Sequence, residues 1–421
     1  MTGEPNPAQH HSPLVCVIVQ GWPRITTTFV AQELVGLEEA GLRLWLATYG
    51  PTDKIRHALH DRLKAPIHKL GDPFRQPARL IRAWRKVRKL PGYSKARALF
   101  GEELAHGTTR RRLRAFARAI LLAGEMPPQV GLIYSQFIHS ATSIGRYASA
   151  MTGLPLVASA HARDIWTAPE WDKRAKLASM EWCTTCTASG ADHLAQLAGK
   201  PGKVKLVHHG LLLDRFPDDM PRHSARDGSD ANDPVRILSV GRAVEKKGFD
   251  VLLEALAQLP KDLNWRWNHI GEGSLLGRLK DKAVQTGIAD RIEWNGAKDQ
   301  SAVIESYRNN DLFVLPCREA SDQDRDGLPN VLMEAQSQGL ACLSTSFSGI
   351  PELIEDDVNG VLVPPGDSDA LALALTDLIS RPDRRARLGE AGFHKVRSHF
   401  RAETGIELVA RMMRDAAVAT A

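Results

Sequence analysis

The chain has 421 residues, enough for two or three domains of about 150 residues each. Its 43% hydrophobic and 25% charged residues exclude wholesale disorder, and no run approaches the ~20 uncharged apolar residues that span a bilayer. The formal charge of +6 points to an anionic partner: nucleotide, nucleic acid or anionic lipid.

The segment Met1 to Ser12 is polar and lacks the charged start and cleavage site of a secretory signal. Five cysteines, odd in number and scattered, suit a reducing cytosol better than a disulfide scaffold. The first strand is expected at Leu14–Val19, an apolar run closed by the turn Gln20-Gly21-Trp22-Pro23. Thr26, Thr27 and Thr28 then offer a hydroxyl cap to a helix carrying Phe29, Leu34 and Leu37. Strands follow at Leu44–Thr48, Val130–Tyr134, Leu156–Ser159 and Lys205–His208, separated by helical stretches. This alternation implies a parallel sheet covered on both faces.

Between Asp72 and Arg118 lie fourteen basic and three acidic residues, a local +11 that leaves −5 for the rest of the chain. Leu80, Ile81, Trp84 and Val87 recur at helical spacing, as do Leu113, Phe116, Ile120 and Leu121. Two basic amphipathic helices over about 72–121 suit an anionic membrane surface; two solvated helices with ordinary core faces fit the same pattern. Nucleic acid is not expected, because aromatic stacking residues there are few and no nucleic-acid motif is present.

From Pro217 to Pro234 the polar composition reads as a linker. A second alternation then runs through strands Arg236–Val240, Trp265–Ile270, Ile292–Trp294, Leu312–Leu315 and Ala341–Ser344. The helices between them are expected at Asp250–Leu259, Ser274–Thr286, Ser301–Asn309 and Pro329–Gln338. The expected organisation is α/β, with two doubly wound domains (1–216 and 235–398) joined by a linker (217–234). A terminal helix within 399–421 is expected to cross back to the first domain. Such sheets bind ligands at the carboxyl ends of their strands.

Two stretches carry the chemistry. In Val240-Gly-Arg-Ala-Val-Glu-Lys-Lys-Gly-Phe-Asp250 a strand ends at Gly241, followed by Arg242, Lys246, Lys247 and Gly248 before a helix. Cations beside a helix start suit a diphosphate, although an exposed strand–helix loop would look similar. In Asp326-Gly-Leu-Pro-Asn-Val-Leu-Met-Glu334, Pro329 suits a first helical turn. Glu334 could accept two sugar hydroxyls, and Asp326 could cap the helix.

Together these stretches resemble the retaining glycosyltransferases of family 4, which have the two-Rossmann glycosyltransferase-B (GT-B) fold. The family patterns G-R-x(n)-K-G and E-G-x-P-x-x-x-x-E read here Gly241-Arg242…Lys247-Gly248 and Asp326-Gly327-Leu328-Pro329…Glu334. His208-His-Gly-Leu-Leu-Leu-Asp-Arg-Phe216, Ile270-Gly-Glu-Gly273, Phe347-Ser-Gly-Ile-Pro-Glu352 and Asn359-Gly-Val-Leu-Val-Pro364 resemble further family segments. Pro23-Arg-Ile-Thr-Thr-Thr-Phe29 and Ser159-Ala-His-Ala-Arg-Asp164 are similar to the polysaccharide, colanic-acid-type assembly branch.

The resemblance implies a retaining transfer of sugar from a nucleotide-sugar donor, held by the C-terminal domain, to a glycan or lipid-linked acceptor, held by the N-terminal one, with the two domains facing a cleft. It implies that Arg242 and Lys247 stabilise the leaving diphosphate and that Glu334 holds the ribose. Asp326 and the Gly327 and Leu328 amides would contact the transferred sugar. Amides at Asn330 and Val331, in the helix start that Pro329 opens, would reach the phosphates, and Gly241 would let them approach. Gly296 and Ala297 would border the base, and His161 would face the sugar across the cleft. Gly21 and the Thr27–Thr28 amides would lie near phosphates or acceptor. No cofactor or metal is implied.

The sequence departs from the family pattern at Asp326, one methylene shorter than the usual Glu, at Thr26-Thr-Thr28 for S-E-T, and at His161-Ala-Arg-Asp164 for H-A-H-D. Cys183-Thr-Thr-Cys186 has no second pair and reads as two buried residues on a strand. Asp322-Gln-Asp324 mimics a metal motif of another fold and reads as a solvated or substrate-contacting loop. An epimerase or phosphorylase of the same fold, or a non-catalytic polyanion-binding protein, are the competing functions. The expected location is cytoplasmic, peripheral on the inner face of a membrane.

Overall fold

The computed structural model describes residues 13–24, 28–53, 58–221 and 223–418. They form two compact units, one of residues 1–186, 190–209 and 402–421 and one of residues 187–189 and 210–401.

The first unit carries seven parallel strands: β1 (Leu14–Gln20), β2 (Arg43–Tyr49), β3 (Ile67–Lys69), β4 (Val130–Gln136), β5 (Leu156–Ala160), β6 (Cys183–Thr185) and β7 (Val204–Leu206). Their order is β3-β2-β1-β4-β5-β6-β7. Val15 to Val19 of β1 are all buried, as a strand with helices on both faces requires. Capping residues set the helix limits. Thr109 Oγ1 accepts from the Arg112 amide at 3.3 Å to start helix Arg110–Glu125. Gly153, left-handed at φ 79°, ends helix Ser140–Thr152. The terminal helix Ala402–Val418 belongs to this unit and packs on helix Thr28–Glu39. Gly36 makes that contact possible, since a Cβ there would stand 2.3 Å from Ile406 Cδ1.

The second unit has six parallel strands: β8 (Val235–Val240), β9 (Trp265–Ile270), β10 (Ile292–Trp294), β11 (Leu312–Leu315), β12 (Ala341–Thr345) and β13 (Val361–Val363). They are ordered β10-β9-β8-β11-β12-β13. Its core joins Ile237, Leu252, Trp267, Phe313, Leu343 and Leu375, among others.

Three expectations are corrected. Residues 217–234 lie within the second unit, and the chain changes unit at His209/Gly210. The polar groups of this segment are spent on the domain: Gly228 O accepts from the Asn264 amide at 2.8 Å, and Arg226 Nη1 pairs with Asp311 at 3.1 Å. The basic region forms three helices, Pro77–Val87, Tyr93–Ala105 and Arg110–Glu125. In the first of these, Ala83 and Val87 face inward while Ile81 (48%) and Trp84 (36%) are exposed among Arg82, Arg85, Lys86 and Lys89. The four apolar positions therefore do not share one buried face.

Candidate functional site

The second sheet reverses its winding between β8 and β11, the kind of switch point whose carboxyl-end crevice takes ligands. The strand ends there are tied into a row: the Gly241 amide donates to Ile270 O at 2.9 Å and the Gly271 amide to Gly296 O at 2.8 Å. His269, fully buried on β9, has its Nε2 3.1 Å from Gly241 O. Burial pushes its imidazole down to about 4, so it is neutral and donates from Nε2. This buttress under Gly241 was missed in the sequence, where the one signal is a histidine in an aromatic-rich strand. Ala297, one residue beyond Gly296, is exposed.

Beyond Gly241 the chain makes one 3-10 turn, Glu245–Lys247, and then helix Phe249–Ala257 begins. Gly248 between them is left-handed at φ 68°, and a Cβ there would stand 2.0 Å from Pro316 O, so both conformation and space demand glycine. The loop after β11 clasps this turn. The Arg318 amide donates to Lys246 O at 3.0 Å, Arg318 Nη2 meets Asp250 at 2.7 Å, and Ser321 Oγ donates to Glu245 at 2.8 Å.

The clasp brings two lysines onto Asp326. Lys247 Nζ lies 2.7 Å from its Oδ2 and Lys246 Nζ 3.1 Å from its Oδ1. Lys246 also reaches Asp324 at 3.1 Å. Burial opposes the charge on Asp326, but the two ammoniums prevail and its carboxyl is pushed down to about 2. Lys247 is likewise opposed by burial and held above its usual range by Asp326. Burial pushes the neighbouring Cys317 thiol up to about 12. Asp326 thus pairs with lysines and does not cap the following helix, whose cap position is Pro329. Arg242 is exposed, and no described residue pairs with its guanidinium.

Gly327 O accepts from the Gly349 amide at 3.1 Å. Leu328 and Val331 pack their side chains on the core, which leaves only their backbone groups for a ligand. Helix Asn330–Ser337 starts one residue later than expected, and its first amides, Asn330 and Val331 included, have no partner within the helix. Glu334, half-buried, accepts from Tyr307 Oη at 3.0 Å; burial raises its carboxyl above the usual range.

The remaining expected residues belong to the first unit. Gly21 follows β1, buried, with φ 68° and its amide on Tyr49 O at 2.7 Å. His161 follows β5 and starts helix Ala162–Trp166. It is 5% exposed, and its amide donates to Asp164 Oδ1 at 2.8 Å. Thr27 lies outside the described residues; Thr28 opens helix Thr28–Glu39. Cys183 is on β6 and Cys186 just beyond it, both buried. His161, Cys186 and His209 each bring one ligating atom within 4.8 Å of the others, a cluster that sequence spacing did not reveal.

Two doubly wound parallel sheets, one with cations gathered at its carboxyl-end switch point, define the class. The model of the glycosyl transferases group 1 family matches residues 222–395. Over 317 residues, covering 69% of this chain and 70% of the relative, the chain is 30% identical to the D-inositol 3-phosphate glycosyltransferase of Streptomyces scabiei (strain 87.22). It is 40% identical over 177 residues to the amylovoran biosynthesis glycosyltransferase AmsK of Erwinia amylovora, covering 42% of each chain. The chain therefore belongs to the group 1 glycosyl transferases. The crystal structure of Anabaena Alr3699/HepE in complex with UDP and glucose superposes with a TM-score of 0.69 at 17% identity, covering 96% of this chain and 100% of that one. The fold is accordingly GT-B, built from two Rossmann-like domains. The matches to the relatives named for colanic acid and amylovoran biosynthesis span less than half the length of those proteins.

Proposed function

We propose that this protein transfers a sugar from a nucleotide-sugar donor to a glycan or lipid-linked acceptor in polysaccharide or glycolipid assembly. The observation that carries the proposal is the Arg242–Lys247–Asp326 group at the carboxyl ends of β8 and β11. An exposed guanidinium with no described partner and a half-buried ammonium share one end of a doubly wound sheet with a helix start, as a diphosphate requires. AmsK, named for amylovoran biosynthesis, supports the pathway class, and the UDP bound by HepE supports a nucleotide donor.

In this reading Arg242 and Lys247 stabilise charge developing on the leaving diphosphate. Glu334 holds the ribose, and Asp326 with the Gly327 and Leu328 amides meets the sugar. Gly241 and the Asn330 and Val331 amides admit the phosphates, and Gly296 and Ala297 border the base. Gly21 and His161, in the first unit, serve the acceptor and the sugar. The acceptor hydroxyl attacks the anomeric carbon on the face the diphosphate leaves, and a diphosphate oxygen takes its proton, so configuration is retained. With two cations at the leaving group the step needs no metal, and Asp324 is already spent on Lys246.

The test is thermal-shift screening against a panel of sugar nucleotides. A true donor at a hundred times its dissociation constant stabilises by about 2.7 kcal/mol. No stabilisation by any nucleotide or sugar nucleotide would remove the reading.

We further propose that helix Pro77–Val87 meets an anionic membrane surface from the cytoplasmic side. Its exposed Ile81 and Trp84 are ringed by cations, and Arg88 stacks on Trp84 at 4.9 Å. Among the described residues no helix is long and apolar enough to cross a membrane.

A further inference from the structure

His161 sits at the head of a hydrogen-bond network whose protons can be counted. Glu33, on helix Thr28–Glu39, is buried and accepts at one oxygen, Oε1, from Tyr134 Oη and, at 2.8 Å, from Gln136 Nε2. With that oxygen accepting from both, the Gln136 amide turns its NH2 to Glu33 and its carbonyl to the other side. The carbonyl lies 3.3 Å from His161 Nε2. Ser159 Oγ is also 3.3 Å from Nε2, and a hydroxyl accepts there when the ring donates. The Gln136 carbonyl, which can only accept, therefore calls for a proton on His161 Nε2. On the other side of the ring, His209 Nε2 lies 3.2 Å from His161 Nδ1.

We propose that Glu33, Gln136, Ser159 and His209 are positioning residues that fix His161 as the tautomer protonated on Nε2, with His209 donating to its bare Nδ1. The protons of His209, His161 and Gln136 then all point toward Glu33. Burial holds both imidazoles below their ordinary range, so neither carries a second proton at neutral pH. Phe29 packs on both rings at 4.7 and 4.8 Å, and Phe137 on His161 at 4.6 Å, which keeps the rings from turning over. Both ring nitrogens are then engaged, and the network fixes how the ring sits at this end of β5.

The proposal rests on the substrate-facing role given to His161, and its test separates the two. Nitrogen-15 NMR of histidine-labelled full-length protein, with His161→Ala to assign the ring, reads the tautomer without any substrate. The expected result is a protonated Nε2 and a bare Nδ1. In the Gln136→Leu/Ser159→Ala double variant, checked for an unchanged fold by circular dichroism, this preference is lost. Turnover there falls about 10-fold or more as the ring loses its orientation.

A protonated Nδ1 in the wild-type protein overturns the network whether or not the variant folds. So does a variant that keeps the tautomer. Stoichiometric Co2+ binding with a thiolate-to-metal charge-transfer band also overturns it, because Nδ1 would then be a ligand beside Cys186 and His209. A tautomer that shifts as expected with turnover unchanged upholds the network and refutes the role of His161.

Discussion

Asp326 is the residue on which the charges of the second unit converge. Its carboxyl is pushed down to about 2, below the ordinary ~3.9 of an unfolded chain. A carboxylate with a depressed folded-state value stabilises above its unfolded value and loses that contribution as pH falls through the folded one. Asp326 therefore contributes fully above about pH 4 and loses its share toward pH 2. The share is no more than about 2 kcal/mol, since the group is 20% exposed. The unfolding midpoint of Asp326→Asn should fall below wild type at pH 6, and the gap should close toward pH 2.5. A gap independent of pH would contradict the ion-pair account. Glu334 is expected to act on binding alone. Glu334→Gln should raise the donor KM about 10-fold, as losing a hydrogen bond to a charged group does, and leave kcat nearly unchanged.

At the scale of elements, the turn Glu245–Lys247 and the loop after β11 act as one piece. Gly248 is the joint between them, left-handed and with Pro316 O only 2.0 Å from where a Cβ would stand. Gly248→Ala should cost at least the ~1–3 kcal/mol of a strained backbone and lower the unfolding midpoint by several degrees. A midpoint within 1 °C, about the noise of such a scan, would mean that the loop is not seated on the turn. This joint was half legible. The glycine and the lysines stand in the sequence as G-R-x(n)-K-G, and strands such as Trp265–Ile270 and Leu312–Leu315 were read to the residue. The pairing of Asp326 with both lysines was not legible, because it depends on a loop that folds back through Arg318, Ser321 and Asp324. Nor were β3 or β13 read as such: each is three residues long, and periodicity is a weak signal over so few. The Glu33–Gln136–His161–His209 network joins residues from four parts of the chain, and no local pattern announces it.

At the scale of the whole molecule, the positive charge falls in two places. Within the Asp72–Arg118 patch some cations are internally paired, as Arg79 is with Glu125 at 2.5 Å and Arg114 with Asp72 at 3.2 Å. Others stand exposed around Ile81 and Trp84. If that surface meets anionic lipid, co-sedimentation with vesicles should rise with their phosphatidylserine content and fall with salt. Trp84→Ala should weaken it, and Arg82→Glu/Arg85→Glu should abolish it. Binding indifferent to lipid charge would refute the assignment.

The smaller share of charge, at the ends of β8 and β11, carries the central claim. Release of nucleoside diphosphate from the donor found by screening tests it most directly, compared between wild type, Arg242→Ala and Lys247→Ala. Each variant should lose about 10²-fold in turnover, as when a stabilising donor is removed from a developing oxyanion. Turnover equal to wild type in both variants would contradict the account.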